Sequence, residues 1–112
     1  MNKRTFIGIC EEYGWRVSET EHEFELQQFS PAGEDYLFYV PKVNPVTEVW
    51  DYYISFDPEK HASMWCEARK TVKGVAGLRV LVEDADKIDR MLEKLAVRLF
   101  VEDGRRSNYA EA

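Results

Sequence analysis

Leu78, Leu81, Ala85, Ile88, Leu92, Leu95 and Leu99 recur at alternating spacings of three and four residues. That rhythm holds one apolar stripe in register along an α-helix, which at about 1.5 Å of rise per residue carries it for roughly 30 Å. A chain of 112 residues is too short for two independent cores, so the stripe must serve as the spine of a single domain. Val80 and Val82 argue locally for a strand, but the unbroken register favours helix, with a bend near Glu83-Asp84. Glu83 with Lys87 and Asp86 with Arg90 stand at i, i+4 in the better orientation for helix support. Beyond Val101 the periodicity lapses. The expected domain therefore spans residues 1–101, with 102–112 as a frayed tail.

The remaining elements follow from shorter patterns. Phe6, Ile9, Cys10 and Tyr13 fall at i, i+3, i+4 and i+7, and Gly14 stands where a helix end favours a left-handed residue. Trp15 and Val17 alternate with Arg16 and Ser18, and Phe24 and Leu26 alternate with Glu23, Glu25 and Gln27. This is the period of two that half-buried strands show, and it predicts a hairpin with His22 in its turn. Ser30-Pro31-Ala32-Gly33-Glu34 is a turn signal, and Tyr36-Leu37-Phe38-Tyr39-Val40 is a continuous apolar run closed by Pro41. Three antiparallel strands in a meander result. Residues 46–56 fit both periods: Val46, Val49, Trp50, Tyr53 and Ile54 make a helical face, while Trp50, Tyr52, Ile54 and Phe56 make a strand row. Helix is the preferred reading. Asp57-Pro58 joins a capping side chain to a proline at the first helical position, predicting a helix toward Lys70 that turns Ala62, Trp65, Cys66 and Ala68 inward and gives out near Gly74 and Gly77. The fold class is α+β: an N-terminal helix, a three-stranded antiparallel meander, and two to three C-terminal helices on one face of the sheet.

Composition narrows the function classes. Apolar residues make up 45% of the chain, enough to offset the entropy of ordering it. No run approaches the roughly 18 to 20 uncharged apolar residues of a membrane span, and Glu11 and Glu12 interrupt the N-terminal pattern where a signal peptide would continue. The expected location is cytoplasmic. Cys10 and Cys66 each lie among apolar residues at helical spacing and read as small unpaired hydrophobes. The formal charge of −6 is uneven: residues 1–60 hold twelve Asp/Glu against five Lys/Arg, and residues 61–112 nine against ten. Such acidity disfavours direct binding to a phosphate backbone.

Catalytic chemistry finds little footing. His22 and His61 are the two histidines, neither has a partner at a metal-ligand spacing, and both read as surface or packing residues. No basic pattern beside Cys10 or Cys66 marks a lowered pKa. Gly74-Val75-Ala76-Gly77 lacks the strand before it and the Lys-Ser/Thr after it that a phosphate loop needs. No catalytic, cofactor-binding or metal residues are assigned. Carboxylates are the abundant reactive type: Glu19, Glu21, Glu23 and Glu25 occupy alternate positions through the first hairpin. The bland account is a solvated sheet face that discourages edge aggregation; the functional one is an acidic surface for a basic protein, such as a nucleic-acid-binding protein. Arg90, Lys94 and Arg98 make a basic stripe on the last helix, read as a solvated face partly neutralised by Asp86 and Asp89.

The stretch Phe56-Asp57-Pro58-Glu59-Lys60-His61, Met64-Trp65, Ala68, Gly74-Val75, Arg79, Leu81-Val82, Asp84-Ala85, Ile88, Met91-Leu92 and Leu95-Ala96 resembles small uncharacterised proteins carried on phages and conjugative elements of anaerobic gut bacteria. The resemblance covers roughly the second half of the chain. It implies a mobile-element setting, where acidic single-domain proteins include anti-defence inhibitors, among them anti-CRISPR proteins. The expected function is a non-enzymatic protein-binding module that blocks or modulates a basic host protein through Glu19, Glu21, Glu23 and Glu25. The alternatives are a homo-oligomer, such as a homodimer, joined through the last helix, and an enzyme built on carboxylates.

Overall fold

The structure, a computed structural model, describes the backbone of residues 1–69 and 74–111 and the side chains of residues 1–65 and 79–104. Helix α1 (Lys3–Glu12) begins where the Asn2 side chain accepts the Thr5 amide at 2.8 Å. It ends in a paired closure: the Trp15 amide donates to the Cys10 carbonyl at 2.9 Å and the Gly14 amide to that of Glu11 at 3.0 Å, with Gly14 at φ 89°. Both bonds satisfy carbonyls a helix end leaves orphaned. A Cβ on Gly14 would meet Gln28 Oε1 at 2.9 Å, because the Gln28 amide reaches across from the sheet to donate to the Tyr13 carbonyl. The closure drops Trp15 into the core.

Strands β1 (Arg16–Glu19), β2 (Glu23–Phe29) and β3 (Asp35–Pro41) form an antiparallel sheet in the order β1-β2-β3. Val17 stands opposite Leu26, and Leu26 opposite Phe38. Burial alternates strictly along β3: Tyr36, Phe38 and Val40 are buried while Asp35, Leu37, Tyr39 and Pro41 are exposed. With Phe24 and Leu26 of β2 these residues form one apolar row on one face of the sheet, as side-chain alternation requires.

The segment that fits both periods is helical. α2 (Pro45–Ser55) follows Asn44, held at φ 54°, and starts on a proline at its first turn. Val46 and Val49 of the helical face are buried, whereas Ile54, which belongs to both the helical face and the strand row, is 61% exposed. α3 (Pro58–Arg69) starts as expected, with Asp57 Oδ1 accepting the amides of Glu59 and Lys60 at 3.1 and 3.2 Å. Ala62 points inward and Trp65 packs beside it; the side chains of Cys66 and Ala68, and Lys70 as a whole, lie outside the described residues.

α4 (Gly74–Glu111) begins before the leucine stripe, so Gly77 sits within it, and it runs on past Val101 where the sequence suggested a tail. Arg98 donates to Glu102 at 3.0 Å across one turn of this extension, and the Met1 amine lies 3.6 Å from Asp103. The helix is continuous through Glu83-Asp84. Asp84 is buried there and accepts from Ser30 Oγ at 2.6 Å and from the Ala32 amide at 2.9 Å. Ser30 Oγ in turn accepts the Glu34 amide, and His61 Nε2 donates to Glu34 Oε1 at 2.9 Å. The β2–β3 turn is thus fastened to α4 and α3 together.

Ile88, Leu92, Leu95 and Leu99 share one core cluster with Phe6, Trp15 and the apolar row of the sheet, while Leu81 and Ala85 pack with Ala62. Rings dominate the interior: Trp15 meets Phe38 edge-on at 5.3 Å, and Phe6 stacks on Phe24 at 5.0 Å. Among the described residues the buried Trp15 indole nitrogen has no hydrogen-bond partner. Asp84→Ala should cost about 2–3 kcal/mol, because it leaves the buried Ser30 hydroxyl and the Ala32 amide without their acceptor. A lowered urea midpoint with helical circular dichroism retained in water is the expected result; an unchanged midpoint would show that the turn does not depend on Asp84.

Candidate protein-binding surface

Because the helices' buried residues share a core with the inner row, the other face of the sheet is left open. It carries Arg16 and Ser18 from β1, Glu23, Glu25, Gln27 and Phe29 from β2, and Asp35, Leu37 and Tyr39 from β3. The register sets Glu25 between Ser18 and Tyr39, and Gln27 between Arg16 and Leu37. Gln27 also donates to Asp35 Oδ1 at 2.8 Å. Three large side chains stand on this face in water: Phe29 is 59% exposed, Tyr39 49% and Leu37 40%. Aromatic residues amid charges are the composition that interfaces favour.

The four glutamates do not share this face. Glu23 and Glu25 lie on it. Glu21 occupies the turn, exposed, beside His22 at 3.7 Å. Glu19 pairs with Phe24 in the register and so points to the opposite side, where Lys3 and Lys42 hold its carboxylate at 2.9 and 3.0 Å. Hydrogen bonds from Lys3 and then Lys42 pull its pKa below the ordinary value. Glu19 clips α1 to the hairpin and to the chain after β3.

Sequence reasoning missed Leu37, Tyr39, Phe29 and Asp35 as surface residues. A run such as Tyr36 to Val40 reads as buried on both faces, yet a signal was present: β2 alternates polar with apolar, and a strand paired beside it must share its open side.

Other candidates are less developed. Cys10 is fully buried, and burial pushes its thiol up to about 12, which fits packing and not nucleophilic attack. Among the described residues no group of His, Cys, Asp and Glu could hold a metal ion. Three surface cavities, of about 200, 350 and 390 Å³, include one carboxylate each, from Asp57, Glu93 and Glu11, so no two carboxylates converge in them. No described helix is long and apolar enough to cross a membrane. No protein-family model matches the chain, nor does any curated protein or solved structure.

The Glu19 clip has a pH signature. A carboxyl whose pKa is lowered by folding contributes stability above its unfolded value, here about 4.5, and loses it as pH falls through the lower folded value. Glu19→Gln should therefore lower the melting temperature at pH 7, and the gap to the native chain should close below about pH 4.5. Thermal melts across that range check this; a gap independent of pH would refute it.

Proposed function

We propose that the chain is a non-enzymatic protein-binding module whose open sheet face docks on a basic protein. The observation that carries the reading is the uncovered row of Leu37, Tyr39 and Phe29 set among Glu23, Glu25 and Asp35. Apolar area supplies affinity there, and the carboxylates steer a cationic partner and disfavour anionic ones. A protein that itself grips nucleic acid presents such a cationic surface. The resemblance of the second half to phage and conjugative-element proteins fits a host protein as target, with an anti-defence inhibitor, including the anti-CRISPR type, as the corresponding role. Within the glutamate set, Glu23 and Glu25 are the contact residues, Glu21 is peripheral, and Glu19 acts through the fold.

A homo-oligomer built on α4 is the second reading. Its leucine stripe is spent inside the same chain, leaving as its basis the exposed Phe100, packed on Trp50, and the exposed Val97 and Val101, which line a cavity with Tyr13. Sedimentation of the free protein separates the two readings.

Replacing Glu23 and Glu25 together by Lys should weaken capture of the host partner at least about tenfold, since opposed like charges cost on the order of several kcal/mol and about 1.4 kcal/mol is tenfold. Native binding should also weaken with salt. The Glu23 side chain makes no bond in the hairpin turn, where its backbone pairs with Thr20, so melting should hardly change. Equal affinity for native and reversed protein would remove the acidic-face mechanism.

A further inference from the structure

β3 is an edge strand, and among the described residues nothing bonds its outward backbone groups. The Thr20 amide donates to the Glu23 carbonyl and the Lys42 amide to that of His22, both at 2.9 Å. Hydrogen-bonded pairs alternate along an antiparallel ladder, so Tyr36, Phe38 and Val40 spend their amides and carbonyls on β2. Those of Leu37 and Tyr39 point away from the sheet. Natural edges of this kind are blunted by lysine, proline, a bulge or a very short strand. β1 follows that rule, being four residues long. β3 does not: it pairs over seven consecutive positions without a bulge, carries no charge between Asp35 and Lys42, and has its one proline at the end.

A cavity of about 200 Å³ lies where α2 meets α3, walled by Tyr52, Phe56, His61 and Met64 with Ser55, Asp57 and Lys60 at its polar side. Tyr52 stacks on Phe38 at 4.4 Å, and the rings of Phe56 and His61 lie 6.0 and 5.4 Å from Tyr36. Three wall residues of the cavity thus pack on the inward side chains of the strand whose outer edge is open.

Building on the proposed basic partner, we infer that an extended segment of that partner joins β3 as a fourth strand and seats an apolar side chain in this cavity. Its main chain bonds to the Leu37 and Tyr39 amides and carbonyls. Side chains alternate along a strand, so the neighbours of the seated residue emerge on the open face beside Asp35 and within reach of Glu25, where Lys or Arg is complementary. The recognised segment alternates basic and apolar residues: backbone bonds give affinity, and the pocket and charges give specificity.

The test uses the full chain and a terminally blocked peptide, Lys-Phe-Lys-Phe-Lys-Phe-Lys, with an isomer of equal composition, Lys-Lys-Lys-Lys-Phe-Phe-Phe, as control. Amide hydrogen exchange followed by NMR should show Leu37 and Tyr39 exchanging freely alone and slowed about tenfold or more under the alternating peptide, with Phe38 protected in both states. The isomer should bind more weakly. Leu37→Pro removes an amide β2 does not use and should abolish peptide binding; if that variant fails to fold, the exchange data on the native chain decide alone. Absence of peptide binding, or equal binding of the isomer, overturns the inference. Binding that depends on Glu23 and Glu25 but leaves Leu37 and Tyr39 unprotected overturns the edge and leaves the acidic face standing. Protection that survives reversal of both glutamates keeps the edge and removes the face. Protection without peptide, together with a dimer mass in sedimentation, assigns the edge to a second copy and overturns the partner strand.

Discussion

Burial of the α4 stripe on one side of a three-stranded sheet is the constraint from which the other features follow. Ile88, Leu92, Leu95 and Leu99 are fully buried in one core with Phe24, Leu26, Phe38 and Val40. At about 1.5–3 kcal/mol for each large apolar side chain removed from water, that core outweighs any single polar contact in the molecule. The described helices bury their apolar residues against one face of the sheet, and among the described residues no element packs on the other. The open face and the free edge of β3 are consequences of where the apolar residues went.

Polar contacts then decide how rigidly that arrangement is held. Asp84 fastens the β2–β3 turn from α4, and the Glu34–His61 bond fastens it from α3. The Tyr36 and Tyr52 hydroxyls hydrogen-bond to each other between β3 and α2, and burial together with that bond drives the Tyr36 pKa well upward, so it stays a neutral structural group. These ties converge on β3 and the turn before it. A strand fixed from several sides pays little ordering entropy on binding, which is the advantage of a preorganised surface.

Local chemistry was legible where it is decided locally. Gly14 reads as a helix closure because only a left-handed residue permits the paired bonds to Cys10 and Glu11, and Asp57-Pro58 reads as a start because both residues suit orphaned amides. Residues 46–56 satisfy two periods at once; the choice rests on Asn44 and Pro45 upstream and on which side chains the core accepts. The site was half visible. Glu23 and Glu25 follow from alternation, but the departure of Glu19 from their face depends on the hairpin register that sets it opposite Phe24, and its partners Lys3 and Lys42 are distant in sequence. The exposed half of β3 was hidden because Leu37 and Tyr39 differ little in type from the buried residues between them. The continuation of α4 past Val101 has no apolar signature at all.

The two parts of the proposed surface would contribute to binding in different ways. Charges on the open face act at a distance, are screened within about a Debye length of 10 Å at moderate salt, and chiefly raise the rate of encounter. Backbone pairing along β3 forms only at contact, is indifferent to salt, and governs how slowly the complex separates. Glu23 and Glu25 lie on the central strand, one strand in from that edge. A partner steered by the carboxylates thus arrives with its chain near Leu37 and Tyr39, so that steering and capture are geometrically linked. The same charges bear on self-association through β3: two copies pairing along that edge would bring like-charged faces side by side, and their repulsion opposes the contact as lysines or a bulge do on other edge strands.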